Sequence, residues 1–301
     1  MIAEKDMVNK WEYLRFDGVD ELMKVAGRYK EKKFEDDVIE HEHCFREKDS
    51  WNGYHTLDMV GKELLDPTPM MAGVIGTGES LFDSEDWATE KPKRKIKRRL
   101  EDGDEIDVER WLDREPDMWE ESKKVKGPRF GVRIGVNIAT SAHVGASGFK
   151  WRTSAVVAIF RICEELMIPC EITCYEQNTD YVTIDGQSLG LFFEFPAKRP
   201  EHPLDVDLLG YVLGSQSFFR CAVLGAEIIG TKEAFGDRAD IHYGLGVPHE
   251  VTRKQANEFI LSRACLNEDA ANAEVKRFKN WLVSIREQSK YNMDGLEDRH
   301  D

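Results

Sequence analysis

The sequence predicts an α/β fold, a mostly parallel sheet with helices on both faces, carrying an irregular and mainly helical N-terminal part. Three observations lead there. Residues 131–138 (GVRIGVNI) and 170–176 (CEITCYE) are short apolar runs of strand length, as strands buried on both faces read. Between them, about 152–167 repeats apolar residues at helical spacing, so the three segments make a βαβ unit whose crossover sets both strands parallel. The chain has 301 residues, 41% of them hydrophobic, with seven tryptophans, which is enough for one large or two ordinary cores.

Residues 1–126 are polar, punctuated by tryptophan and rich in short elements. Leu22, Val25, Ala26 and Tyr29 give Asp20–Lys32 a helical stripe, and Leu57, Val60 and Leu64 give another to Tyr54–Leu65. The second helix is entered through Ser50-Trp51-Asn52-Gly53 and stopped by Asp66-Pro67-Thr68-Pro69. Trp111, Leu112, Met118 and Trp119 around Pro116 are expected to pack onto the later sheet, and Gly127-Pro128 marks the boundary between a 1–126 region and a 127–301 domain. Beyond the βαβ unit, two β-rich runs within Tyr181–Phe195 flank Asp185-Gly186, a strong hairpin signal. Leu204–Ile229 reads as one or two buried helices and Asp240–Val247 as a short strand with a glycine turn. A helix is expected from Thr252, as N-cap, to about Arg263, and another over Asp269–Lys290. No repeat recurs at a fixed period.

A formal charge of −15 argues against wholesale coating of nucleic acid or an anionic membrane, while leaving room for a local basic site. The start, MIAEKDMVNKWEYL, is charged where a signal peptide needs an apolar run, and no segment nears the roughly 18 apolar residues of a membrane span. A cytoplasmic protein with no membrane contact is the expectation. The six cysteines sit mostly in apolar elements and are expected as free thiols; Cys170 and Cys174 alternate along a strand, which is poor zinc geometry. No metal or cofactor is expected, and the oligomeric state is not legible.

Two places could carry function. In the α/β plan ligands bind beyond the carboxyl ends of the strands, which puts Asn137, Thr140, Ser141, His143 and Ser147 in a candidate ligand loop, where backbone amides and the helix dipole favour an anion or phosphate. The loop lacks the G-x-G-x-x-G of a dinucleotide site. His143 has no partner Ser or Cys at a telling spacing, and loop-internal hydrogen bonding is the rival reading. The second place is Lys91, Lys93, Arg94, Lys95, Lys97, Arg98 and Arg99, seven basic residues within nine, followed at once by the acidic 101–107 block that can neutralise part of it. With Lys150, Trp151 and Arg152 this makes a candidate single-strand-binding surface, bases stacking on aromatic rings and cations tracking phosphates. The rival reading is a solvated charged face with core tryptophans.

Other groupings carry less. Gly76-Thr77-Gly78-Glu79-Ser80 lacks the lysine of a phosphate loop, His41-Glu42-His43-Cys44 has no second ligand pair, and Glu194, Glu227, Asp237 and Asp240 have no spacing that identifies a catalytic pair. No nucleophile elbow, kinase set or deaminase motif is present, so a non-enzymatic role is expected.

Residues 129–225 resemble a von Willebrand factor A domain in layout. That family's metal site uses D-x-S-x-S where this chain has Asn137, Ala139 and Ser141, so the resemblance implies a related Rossmann-like fold with a dead or altered metal site. Ser50-Trp51-Asn52-Gly53, the 103–119 segment GDEIDVERWLDREPDMW and the βαβ unit together resemble an uncharacterised family of tailed phages. Proteins of this type are similar to early transcription accessory proteins of N4-like phages. The resemblance implies an adaptor that binds single-stranded DNA and recruits phage RNA polymerase, or another phage or host protein, in the host cytoplasm. A metal- or phosphate-binding α/β module or enzyme working at 137–150 and a pure protein scaffold are the alternatives.

Overall fold

The computed structural model describes residues 1–6, 10–28, 56–65, 96–100, 105–106, 110, 112–114, 119–122, 131–141, 144–202, 205–242, 247–252, 255, 257–263 and 265–297. The chain opens with a hairpin, β1 (Ile2–Asp6) antiparallel to β2 (Trp11–Arg15), in which Glu12 and Leu14 point inward and are fully buried. Helix α1 (Val19–Gly27) carries Asp20 and Glu21 in its first turn, where the helix dipole favours acid, and buries Leu22, Val25 and Ala26. Helix α2 (Leu57–Leu65) buries Leu57 and Val60. Strands β3 (Ile96–Leu100), β4 (Glu105–Ile106) and β5 (Trp119–Ser122) form a small antiparallel sheet in the order β3-β5-β4.

The predicted βαβ unit is present. Strand β6 (Val132–Asn137), helix α3 (Ala146–Glu165) and strand β7 (Cys170–Ile184) follow one another, and β6 pairs parallel with β7 from Val132↔Cys170 to Asn137↔Tyr175. The two β-rich runs at 170–176 and 181–184 are one 15-residue strand, and it turns at Asp185-Gly186, both at positive φ, into β8 (Gln187–Lys198). Helix α4 (Val206–Gly214) is capped by Asp205, whose carboxylate accepts from the Leu208 N–H at 2.8 Å. A π-helical segment (Phe218–Val223) runs into α5 (Leu224–Phe235), then short strands β9 (Ala239–Ile241) and β10 (Val247–Pro248). Strand β11 (Glu258–Leu261) and helix α6 (Glu268–Glu297) complete the chain.

The main sheet is mixed and runs β1-β2-β8-β7-β6-β11, with β9 and β10 pairing the far half of β7. Its centre, β7-β6-β11, is parallel, β2 is parallel to β8, and the other pairings are antiparallel. One face is continuous across register: Leu14 beside Phe193, Phe195 beside Cys174, Cys174 beside Val136, and Val136 beside Leu261, all buried. Rings tie it to the helices, with Phe193–Phe195 at 5.9 Å, Phe195–Phe218 at 6.4 Å and Phe218–Tyr211 at 6.1 Å. Helix α3 packs on α4 and α6, α5 on α1, and α2 on the π segment.

Two expectations are corrected. The stretch from Thr252 to Arg263 is not a helix: Phe259-Ile260-Leu261 fills the open edge of β6 as a parallel strand, and Thr252, instead of capping, takes the Gln177 side chain through its N–H at 3.0 Å. Residues 2–27 are part of the main sheet and its helical cover, so they do not divide from the later residues at 126. No single helix among the described residues is long and apolar enough to cross a membrane; α4 and the π–α5 segment meet at 72° inside the core.

Candidate functional site at the end of strand β6

Two polar side chains at the end of β6 are spent inside the protein. Asn137 is fully buried; its Oδ1 accepts from the Ala139 N–H at 3.1 Å and its Nδ2 donates to the His249 carbonyl at 3.1 Å, so neither end is left for a ligand. Arg152 is 1% exposed and donates through Nη1 to the carbonyls of Ile138 (3.1 Å) and Asn137 (3.5 Å), with its guanidinium 5.0 Å from the Phe149 ring centre. Burial lowers its pKa to about 10, still charged at neutral pH. Both residues are corrections to the sequence reading: Asn137 is no free ligand, and Arg152 is sealed away from any phosphate chain. Trp151 is half-buried against the core and Lys150 half-buried beside it. Ser141 and Ser147 are exposed, Thr140 is half-buried with its hydroxyl unpartnered, and His143 lies outside the described residues.

The basic run is split. Lys91, Lys93, Arg94 and Lys95 lie outside the described residues, as do Gly76–Ser80, His41–Cys44 and Gly127-Pro128. Lys97, Arg98 and Arg99 fall on β3, at the rim of the small sheet. Its register sets Lys97 across from Glu121 and Arg98 across from Glu120, with an irregularity at Arg99. Unlike charges thus stand at facing register positions on the two strands.

Sequence reasoning missed the most unusual chemistry. Beneath α5, at the level where β6 ends, Glu12 of β2, Glu176, Asn178 and Tyr181 of β7, and Glu227 and Thr231 of α5 are each at most 2% exposed. The register brings them together: Glu12 lies across from Leu191, and Leu191 across from Asn178, so β2 and β7 flank β8 with polar residues on the helix-covered face. The Thr231 hydroxyl donates to Glu12 Oε1 at 2.7 Å, and Asn178 Nδ2 donates to Glu176 Oε1 at 2.9 Å. The second oxygens of Glu12 and Glu176, both oxygens of Glu227, Asn178 Oδ1 and the Tyr181 hydroxyl have no partner in bonding geometry.

Buried carboxylates without partners are costly, so they hold protons. Burial pushes Glu12 up to about 8 against the Thr231 bond. Glu227 is driven well above the carboxylate range by burial and then by Glu176 and Glu12. Glu176 is also raised by burial, opposed by Glu227, Asn178 and the Arg152 charge. The Tyr181 phenol is raised by burial and by the surrounding acids. The group can store and exchange protons but is closed to a substrate, and among the described residues no three His, Cys, Asp or Glu side chains are arranged to hold a metal. The signal in the sequence was weak: Glu176 and Asn178 interrupt an apolar strand, and Glu227 alone interrupts AVLGAEIIG.

Cys163, Cys170, Cys174, Cys221 and Cys265 are free and buried, as expected, and burial pushes Cys174 and Cys265 up to about 12, so these two are thiols, not thiolates. A separate polar cleft of about 730 Å³ lies between α1 and the end of β8. Its charges are largely turned on one another: Arg199 pairs with Asp17, Lys198 donates to the Cys170 carbonyl at 2.8 Å, and Asp205 caps α4.

A family model described as a domain of unknown function (DUF7192) matches residues 6–285. No curated protein and no solved structure matches the chain.

Proposed function

The chain belongs to the DUF7192 family, and we propose that it works as a non-enzymatic adaptor of phage transcription or replication, binding single-stranded DNA and bringing phage RNA polymerase, or another phage or host protein, to it in the host cytoplasm. The observation that carries this reading is strand β3, where Lys97, Arg98 and Arg99 stand in succession at the rim of a three-stranded sheet, with Leu100 across from Trp119. Cations beside an aromatic position suit a strand whose bases stack and whose phosphates are tracked. A charged edge strand also discourages edge-to-edge aggregation, and that is the role the experiment must separate from binding. The von Willebrand A-like character of the β6–α3–β7 core, with its metal position occupied by Asn137, Ala139 and Ser141, is part of the same proposal.

Binding of a labelled single-stranded oligonucleotide, measured at several salt concentrations, tests it. Replacing Lys97, Arg98 and Arg99 with glutamine is expected to flatten the log K against log salt slope by about 2, from roughly 0.7 per lost phosphate contact. An unchanged isotherm removes β3 from the mechanism. The alternative, a phosphate- or metal-ligand module, is favoured by one observation, the exposed Ser141 and Ser147 about the start of α3 with the unpartnered Thr140 hydroxyl. It predicts stabilisation by millimolar inorganic phosphate or Mg²⁺ in a thermal-shift assay, and Ser147→Ala would abolish it.

A further inference from the structure

Glu12, Glu176 and Glu227 come from three elements, β2, β7 and α5, and meet where α5 lies on the sheet. Among the described side chains Arg152 of α3 supplies the cation that faces Glu176, and burial holds the acids in place in their neutral form. Among the described residues Tyr181 also lies close to Glu227, and Thr231, one turn along α5, bonds Glu12. Two polar contacts lie toward the opposite end of α5: Arg28, just past α1, pairs with Glu233 at 2.5 Å, and Lys232 donates to the Ala239 carbonyl of β9 at 2.9 Å.

The helix bearing Glu227 is entered through the π-helical segment Phe218–Val223. Such π turns are rare within helices and are frequently found at functional sites. From this segment two contacts reach the loop beyond β6 and the start of α3. Arg220 Nη2 donates to the Val144 carbonyl at 2.9 Å, and Phe219 lies 5.8 Å from Phe149, ring to ring. A shift of the π segment therefore moves the loop that carries the exposed Ser141.

We propose that the Glu12–Glu176–Glu227 cluster is a proton latch: protonated, it keeps residues 218–235 docked on the sheet, and loss of a proton to solvent base releases that segment and, through Arg220, the loop at 138–145. The sign follows from acids whose protons are held more tightly in the docked state. Docking is strongest below the ordinary carboxylate pKa and weakens as pH rises from there toward about 8, where Glu12 ionises in place. Above its docked-state value each group stops contributing.

Amide hydrogen exchange of the intact protein between pH 6 and 8, corrected for the intrinsic base-catalysed rate, tests this. Opening of peptides within 218–235 and 138–145 is expected to rise by about tenfold per pH unit for each carboxyl that ionises on release, while peptides of β6 and β8 stay protected. Glu227→Gln, which mimics the protonated acid, is expected to remove one such factor of ten per unit, and Glu12→Gln another. A flat corrected rate in the wild-type protein overturns the latch, as does a rise spread evenly over the whole chain. So does a wild-type slope kept in both variants. If Glu227→Gln fails to fold by circular dichroism, the wild-type profile and Glu12→Gln still decide the matter.

Discussion

Glu12 and Arg152 each show how burial alters what a charged side chain is worth. Glu12 has its pKa raised from an ordinary 4.5 to about 8 by desolvation, so the folded protein binds its proton more tightly than the unfolded chain. That contribution is complete below 4.5 and is lost as pH rises to about 8, on the order of 5 kcal/mol at most by linkage. Glu12→Gln keeps an acceptor for Thr231 and removes the titration. It is expected to raise the melting temperature at pH 8 by several degrees and to leave it nearly unchanged at pH 4.5, as read by calorimetry. Arg152 has the opposite exposure from a DNA-tracking cation. Arg152→Ala would strand the carbonyls of Asn137 and Ile138 and leave Glu176 without its countercharge, at a cost of about 3–5 kcal/mol. Lys150→Ala, two residues away and half-buried, is expected to stay within about 1 kcal/mol when both variants are compared by urea titration. If the two variants lost equal stability, the structural role assigned to Arg152 would be wrong.

Elements whose local chemistry agrees with their place in the fold were legible. The β7–β8 hairpin is an example: Asp185-Gly186 takes two positive-φ positions, which that pair tolerates, and the runs on either side are β-rich. Strand β6 was legible as a short, near-continuous apolar run and helix α3 from apolar residues at helical spacing between two such runs. Strand β2 was not, because its inward residues are Glu12 and Leu14, and a buried glutamate erases the period-2 signal. Strand β11 failed differently. Four residues are too few to outvote the helix-like flanks, and only the open edge of β6 decides the matter. A non-local contact of this kind also explains Gly190. A Cβ there would sit 2.4 Å from the Trp11 ring and 2.7 Å from the Asn178 carbonyl, so β2, β8 and β7 close together only over a glycine. Gly190→Ala should destabilise by about 1–3 kcal/mol, and its midpoint in chemical denaturation should recover in part with Trp11→Leu, since the ring yields but the carbonyl does not.

At the scale of the molecule, the candidate site itself was hidden for the reason that β2 was. Its acids come from residues 12, 176 and 227, which no spacing rule connects, and only the order β2-β8-β7 under α5 brings them to one place. The loop at 137–150 was found correctly as the end of β6, but Asn137 within it and Arg152 just beyond it proved to be internal supports. The same topology makes the N-terminal strands part of the core. Leu191 and Phe193 are fully buried on β8, and β2 is their neighbour in the sheet, with Phe16 stacked 5.0 Å from Phe193 and α1 covering α5. Removing residues 1–27 would uncover that row, leave an unpaired β8 edge and open the acid cluster to water on the Glu12 side. A fragment of residues 127–301 is therefore expected to lose cooperative thermal unfolding, to bind a hydrophobic dye at neutral pH, and to regain a transition when the 1–65 segment is supplied in trans. A fragment that unfolds cooperatively alone, with the melting temperature of the full chain, would show that the β1–β2 hairpin is an appendage and that the 126/127 boundary read from the sequence divides two independent units.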